Sequence, residues 1–112
     1  MEYGGELQQL SAFYAAIEHD FRIGATHVSL YMALFHLWAI SSFQHPLSVT
    51  RQEVMPIAKI HGRATYHKCM NDLESYGYIR YIPSYNPVLK SMVYLLKLTP
   101  VAALASGDNK DQ

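Results

Sequence analysis

Between Glu6 and Phe21 apolar side chains return every three or four positions, at Leu7, Leu10, Phe13, Tyr14, Ile17 and Phe21. That spacing predicts an amphipathic helix with those residues on its inward stripe. A break at residues 22–25, containing Gly24, precedes a second helix from about His27 to Ser42, with Thr26 as its cap. Val28, Leu30, Tyr31, Met32, Leu34, Phe35, Leu37, Trp38 and Ile40 run nearly all the way round this second helix. Only Ser29 and His36 are left as a polar stripe, so the helix must be covered on several sides.

After a turn around residues 44–46, Thr50 and Glu53 stand three apart, the spacing of a capping box that starts a short third helix with Val54, Ile57 and Ala58 inward. Pro56 lies inside it, where the lost backbone hydrogen bond predicts a kink or an early end. His61 and Gly62 form a turn, and Arg63 to Tyr76 reads as a fourth helix closed by Gly77. Its two sides differ: Tyr66, Cys69, Met70, Leu73 and Tyr76 face one way, and Arg63, Ala64, His67, Lys68 and Asn71 the other. Beyond Gly77 the period shortens towards two, and the aromatic and β-branched segments 78–82 and 92–98 read as a hairpin with a long tip. Residues 100–112 turn small and polar and are expected to be a flexible tail.

With 112 residues, half of them apolar, the chain is long enough for one domain with a substantial core. Nine Lys and Arg balance nine Asp and Glu, but unevenly. Residues 1–20 carry −4, residues 21–100 carry +5 and the tail −1, an asymmetry that hints at a polyanionic partner for the middle. The single cysteine, Cys69, excludes an intrachain disulfide and a Cys-based zinc site, and it reads as a small core residue. No signal peptide is evident, so the expected compartment is the cytoplasm. The apolar run 28–40 is shorter than the roughly 20 residues that span a bilayer, and no membrane association is expected. His27, His36, His45, His61 and His67 show no i,i+4 pair and no carboxylate at ligand spacing, so no metal is expected. Without a nucleophile elbow, P-loop, dinucleotide glycine motif or paired-carboxylate cleft, neither an enzyme nor a cofactor is expected.

The element order, a hydrophobic helix, a short capped helix, a tight turn, an amphipathic helix closed by Gly and then a hairpin, is that of a winged helix-turn-helix domain. The run from Thr65 to Ile79, with Thr65, Tyr66, His67 and Lys68 at its start and Leu73-Glu74 before Gly77-Tyr78-Ile79, resembles the recognition-helix pattern of bacterial winged-helix regulators. Leu30-Tyr31, Ala33-Leu34-Phe35, Trp38 and residues 78–84 are similar to small winged-helix proteins of bacterial mobile elements described as transcriptional regulators. The resemblance spans about residues 26–98. It implies a mainly α fold with a small β-hairpin (α+β), divided into an additional N-terminal helix (1–25), a winged-helix domain (26–99) and the tail (100–112).

A helix of this length enters the ~12 Å wide major groove when its outward face carries donors and small side chains near the N-terminal end. Arg63, Ala64, Thr65, His67, Lys68 and Asn71 supply them. The cations stand towards the positive end of the helix dipole and Asp72 and Glu74 towards the negative end, an inversion that phosphate near the N-terminal half would make favourable. In the hairpin tip, Tyr85, Asn86, Lys90 and Ser91 are candidates for phosphate or minor-groove contact, and Arg51 for backbone phosphate. A solvated polar surface is the alternative for each; it is outweighed for the fourth helix, evenly matched for the hairpin tip and favoured for Arg51. The expected function is sequence-specific binding of double-stranded DNA in transcriptional regulation. The alternative is a protein-interaction module of a replication or conjugation assembly, built on the same scaffold without DNA. The apolar girth of the second helix further suggests a homodimer through residues 6–42, against the simpler role of the first helix in completing a monomeric core.

Overall fold

A computed structural model describes residues 4–86 and 89–98. The expected tail, 100–112, lies outside the described residues. The fold is α+β, with four helices and a three-stranded antiparallel sheet: α1 (Gly4–Ile17), α2 (Ala25–Ile40), β1 (Leu47–Val49), α3 (Arg51–Ala58), α4 (Arg63–Ser75), β2 (Ile79–Ile82) and β3 (Ser91–Leu95). The chain divides into two compact units. One takes its described residues from Met1–Ile23 and Lys97–Gln112, and the other is Gly24–Leu96. Among the described residues no helix is long and apolar enough to cross a membrane.

In the first unit, α1 ends four residues before the expected Phe21, and its stripe is rotated from the expected one. Gln9, Ala12 and Phe13 are buried, whereas Leu7, Tyr14 and Phe21 are exposed, Phe21 almost completely. The Gln9 side-chain oxygen accepts the Leu98 backbone N–H at 3.3 Å, which accounts for a buried amide on this helix. The helix stops where Asp20 folds a local turn, accepting from the backbone N–H of Arg22 at 3.1 Å and from its guanidinium at 2.8 Å.

In the second unit, α2 packs on α3 and α4. Its cap is Gly24, not Thr26, which lies inside the first turn. A glycine has no side chain to cap with, so the helix starts on half a capping box: the His27 Nδ1 accepts the Gly24 N–H at 3.0 Å. Leu30, Tyr31, Ala33 and Leu34 form the buried face, and Ser29 donates to the Ala58 carbonyl of α3. Near the C-terminal end, Phe35, Trp38 and Phe43 meet edge to face and His45 stacks on Trp38 with centroids 4.9 Å apart. The helix ends at Ile40, two residues short of the expected Ser42, where Ser42 and Phe43 turn to positive φ.

The expected two-stranded hairpin is instead a three-stranded sheet in the order β1-β3-β2. β1 pairs Leu47 with Val93 and Val49 with Ser91, and β2 pairs Ile79 with Leu95 and Ile82 with Met92. Burial alternates along both outer strands, so Leu47, Val49, Ile79 and Tyr81 join Val93 and Leu95 in the core. Ahead of the start of β1, a side chain continues the ladder: His45 Nε2 accepts the Leu95 N–H at 3.1 Å. Burial also lowers the pKa of His45, and the neutral ring is the form able to accept that bond.

α3 begins as its sequence predicts. Thr50 Oγ1 accepts the Glu53 N–H at 3.2 Å and Glu53 Oε1 accepts the Thr50 N–H at 3.0 Å, a reciprocal capping box. Val54 and Ala58 are buried, but Ile57, expected inward, is exposed. The helix continues two residues past Pro56 and closes at Lys59, whose backbone is left-handed at φ 61°. α4 closes one residue earlier than expected, at Ser75, and Gly77 takes the left-handed conformation at φ 92°. Tyr66, Cys69, Met70 and Leu73 are its buried side, and burial raises the Cys69 thiol pKa.

Candidate nucleic-acid interface

Three elements converge on one open groove of about 440 Å³: the start of α3, the outward side of α4 and the loop between β2 and β3. The capping box sets the first turn of α3 so that Arg51 and Gln52 border the groove. From α4 come His67 and Asn71, one turn apart on the helix. The loop contributes Tyr85 and Asn86, and β3 contributes its first residue, Ser91. Six residues singled out from the sequence on separate segments are therefore neighbours around a single concavity.

Beneath them the groove is lined by the phenols of Tyr66 and Tyr81. Burial raises both pKa values, and Ser91 hydrogen-bonds the Tyr81 side chain. These phenols are neutral hydroxyls. The loop is braced from within: the Ser84 N–H donates to Ser91 Oγ at 3.1 Å, and Ser84 Oγ accepts the Asn86 N–H at 3.3 Å while donating to the Asn86 carbonyl at 3.2 Å. Ser91 is consequently engaged by two internal partners and acts at the base of the loop. Tyr85, 93% exposed, is presented outward.

The remaining candidates lie around this groove. Ala64, Thr65 and Lys68 are exposed on α4. Arg63, also exposed, borders a second depression beside α3. Lys90 does not line the groove but borders a neighbouring depression with Ile82 and Met92, and its Nζ lies 3.5 Å from Glu53 Oε1. Sequence reasoning missed Gln52 and Ser84 as groove residues. Gln52 follows Arg51 in the first turn of a capped helix, a position that the capping box alone could have flagged.

The charge inversion along α4 has a structural cause at its acidic end. Asp72 Oδ2 lies 2.8 Å from His27 Nε2 and 2.7 Å from Lys68 Nζ. Because His27 Nδ1 accepts from Gly24, its Nε2 carries the hydrogen that Asp72 receives, and the carboxylate ties α4 to the start of α2. The hydrogen bond from Lys68, followed by that from His27, holds the Asp72 pKa below its ordinary value, and the same carboxylate raises the pKa of Lys68. Glu74 Oε2 accepts the Tyr81 N–H at 3.2 Å and so occupies the outer edge of β2. Both acids are explained without a partner molecule. The cations are not: among the described residues no ion pair engages Arg51, Lys59, Arg63 or Arg80. Across Gly24–Leu96, those four with Lys68 and Lys90 stand against Glu53, Asp72 and Glu74, a net +3.

Among the described residues no group of three or more His, Cys, Asp or Glu could hold a metal ion. No family model, curated protein or solved structure matches this chain.

Proposed function

We propose that the chain is a sequence-specific double-stranded-DNA-binding protein of the winged helix-turn-helix type, acting in transcriptional regulation. α4 enters the major groove, with His67, Thr65 and Asn71 reading or positioning, while Arg63 and Lys68 supply charge. The β2–β3 loop serves as the wing. The observation that carries this reading is the convergence of Arg51, His67, Asn71, Tyr85 and Asn86 on one groove bordered by α3, α4 and the β2–β3 loop. Donors aimed into a concavity from two sides suit a ridge that carries phosphates and base edges. The glycine cap of α4 adds support, because its first-turn amides have no side-chain acceptor. The exposed Leu7, Tyr14 and Phe21 of the first unit support a homodimer through residues 6–42.

A second reading, a protein-interaction module on the same scaffold, draws on the pairing of Lys68 and Lys90 with carboxylates, which reduces the charge free to meet phosphate. Fluorescence anisotropy against a mixed-sequence duplex at low and moderate salt separates the two. The DNA reading predicts affinity that falls steeply with salt, with a slope reduced by about one in Lys68→Ala. Binding that is absent or indifferent to salt favours the interaction module.

A further inference from the structure

A second depression lies beside the groove, where α3 ends and the chain turns into α4. Met55, Pro56 and Ile60 give it an apolar lining, to which Arg51, Lys59 and Arg63 add three cations. None of its lining residues is acidic, and Arg51 also borders the groove. Three cations lining one depression with no carboxylate among them make a surface of one sign, which favours an anionic partner.

Lys59 adds an independent observation. It closes α3 with its backbone at φ 61° and ψ 38°, the left-handed conformation that glycine adopts freely and a lysine only under strain. Its side chain is exposed and, among the described residues, has no ion pair. The left-handed backbone has its cause in the fold, because it lets the Lys59 and Ile60 N–H groups close the helix on the Pro56 and Met55 carbonyls, whereas the exposed ammonium has no such partner and is left to act outside the fold.

We propose that Arg51, Lys59 and Arg63 form a phosphate track that carries the backbone of bound DNA from the α3–α4 groove past the end of α3. The track rests on the DNA-binding reading and extends it by assigning Lys59, which lies outside the groove, to a phosphate. A duplex strand fits this surface better than an acidic peptide does because the cations continue, through Arg51, a concavity already bordered by polar donors.

The test is salt-dependent anisotropy of the full chain with a mixed-sequence duplex, comparing wild type, Lys59→Gly and Lys59→Arg, alongside thermal unfolding. Lys59→Gly removes the charge and relieves the strain together, so it should unfold at a higher temperature yet bind DNA more weakly. Its loss of affinity between 50 and 200 mM salt should be about 3-fold smaller than that of wild type, the effect of one phosphate contact. Lys59→Arg should keep the wild-type slope. Wild-type affinity and slope in Lys59→Gly would overturn the track while leaving the DNA reading intact. A wild-type chain that ignores duplex, whether or not an acidic peptide binds it, overturns both.

Discussion

The two ends of α4 carry opposite charges and stand in opposite relations to the fold. At the C-terminal end, Asp72 is held by His27 and Lys68, and Glu74 by the Tyr81 amide, so each carboxylate works inside the molecule. At the N-terminal end, Arg63 meets no carboxylate among the described residues, Ala64 and Thr65 are exposed, and the glycine cap leaves the first turn without a side-chain acceptor. The difference teaches how to separate structural from functional charge on a single helix. A charged side chain that crosses to another element has its explanation in the fold. One that crosses to nothing, in a cluster of its own sign, invites an external partner. Lys68 stands between the two, tied to Asp72 yet with most of its side chain in solvent.

The largest effect expected concerns the side of α4 that is turned inward along its whole length. Leu73 is fully buried, and Leu73→Ala should cost about 2–5 kcal/mol in denaturant unfolding, enough to threaten a domain of this size. A loss below 1 kcal/mol would mean that this side of the helix is not packed as described.

A smaller effect, and one that sharpens the contrast directly, is expected of Asp72→Asn. It weakens the tie to His27 while releasing Lys68, so the melting temperature should fall and duplex affinity at low salt should rise a few-fold. A parallel fall in both would place Asp72 on the binding side of the helix.

The smallest effect is in the pH dependence. The Asp72 pKa is depressed in the folded state, so the stability it contributes is present above its ordinary 3.8 and is lost as pH falls through the lower folded value. The His45 pKa is also depressed, so its contribution is complete above the ordinary 6.5 and declines as pH falls below it. Acid unfolding followed by circular dichroism should therefore show a decline beginning near pH 6.5 and a further one below 3.8. Asp72→Asn should lack the second part and keep the first.

What the sequence disclosed about these regions follows the range of the interactions involved. The α3 capping box is legible because Thr50 and Glu53 are three residues apart and satisfy each other. The alternation of Tyr66, Cys69, Met70 and Leu73 is legible for the same local reason, and it orients both sides of α4. β1 is not: three residues hold less than two periods, and the partner that makes them a strand, Val93 opposite Leu47, lies far along the chain. The tie between His27 and Asp72 spans 45 positions, so the acidic end of α4 looked unfavourable when read alone. On α1, Gln9 and Ala12 are buried beside the expected Phe13 although neither belonged to the apolar stripe, and the Leu98 amide that Gln9 meets lies 89 positions away. The individual site candidates came from residue chemistry, whereas their meeting in one groove depends on how α3, α4 and the loop pack.

The most direct measurement is amide chemical-shift mapping of the labelled chain as duplex DNA is added at low salt. The account predicts perturbations at Arg51 and Gln52, along residues 63–71 and in the β2–β3 loop, while the amides of residues 74–80 stay unmoved. Perturbations confined to residues 74–80 and α1, or none at all under conditions where the chain is folded, would contradict it.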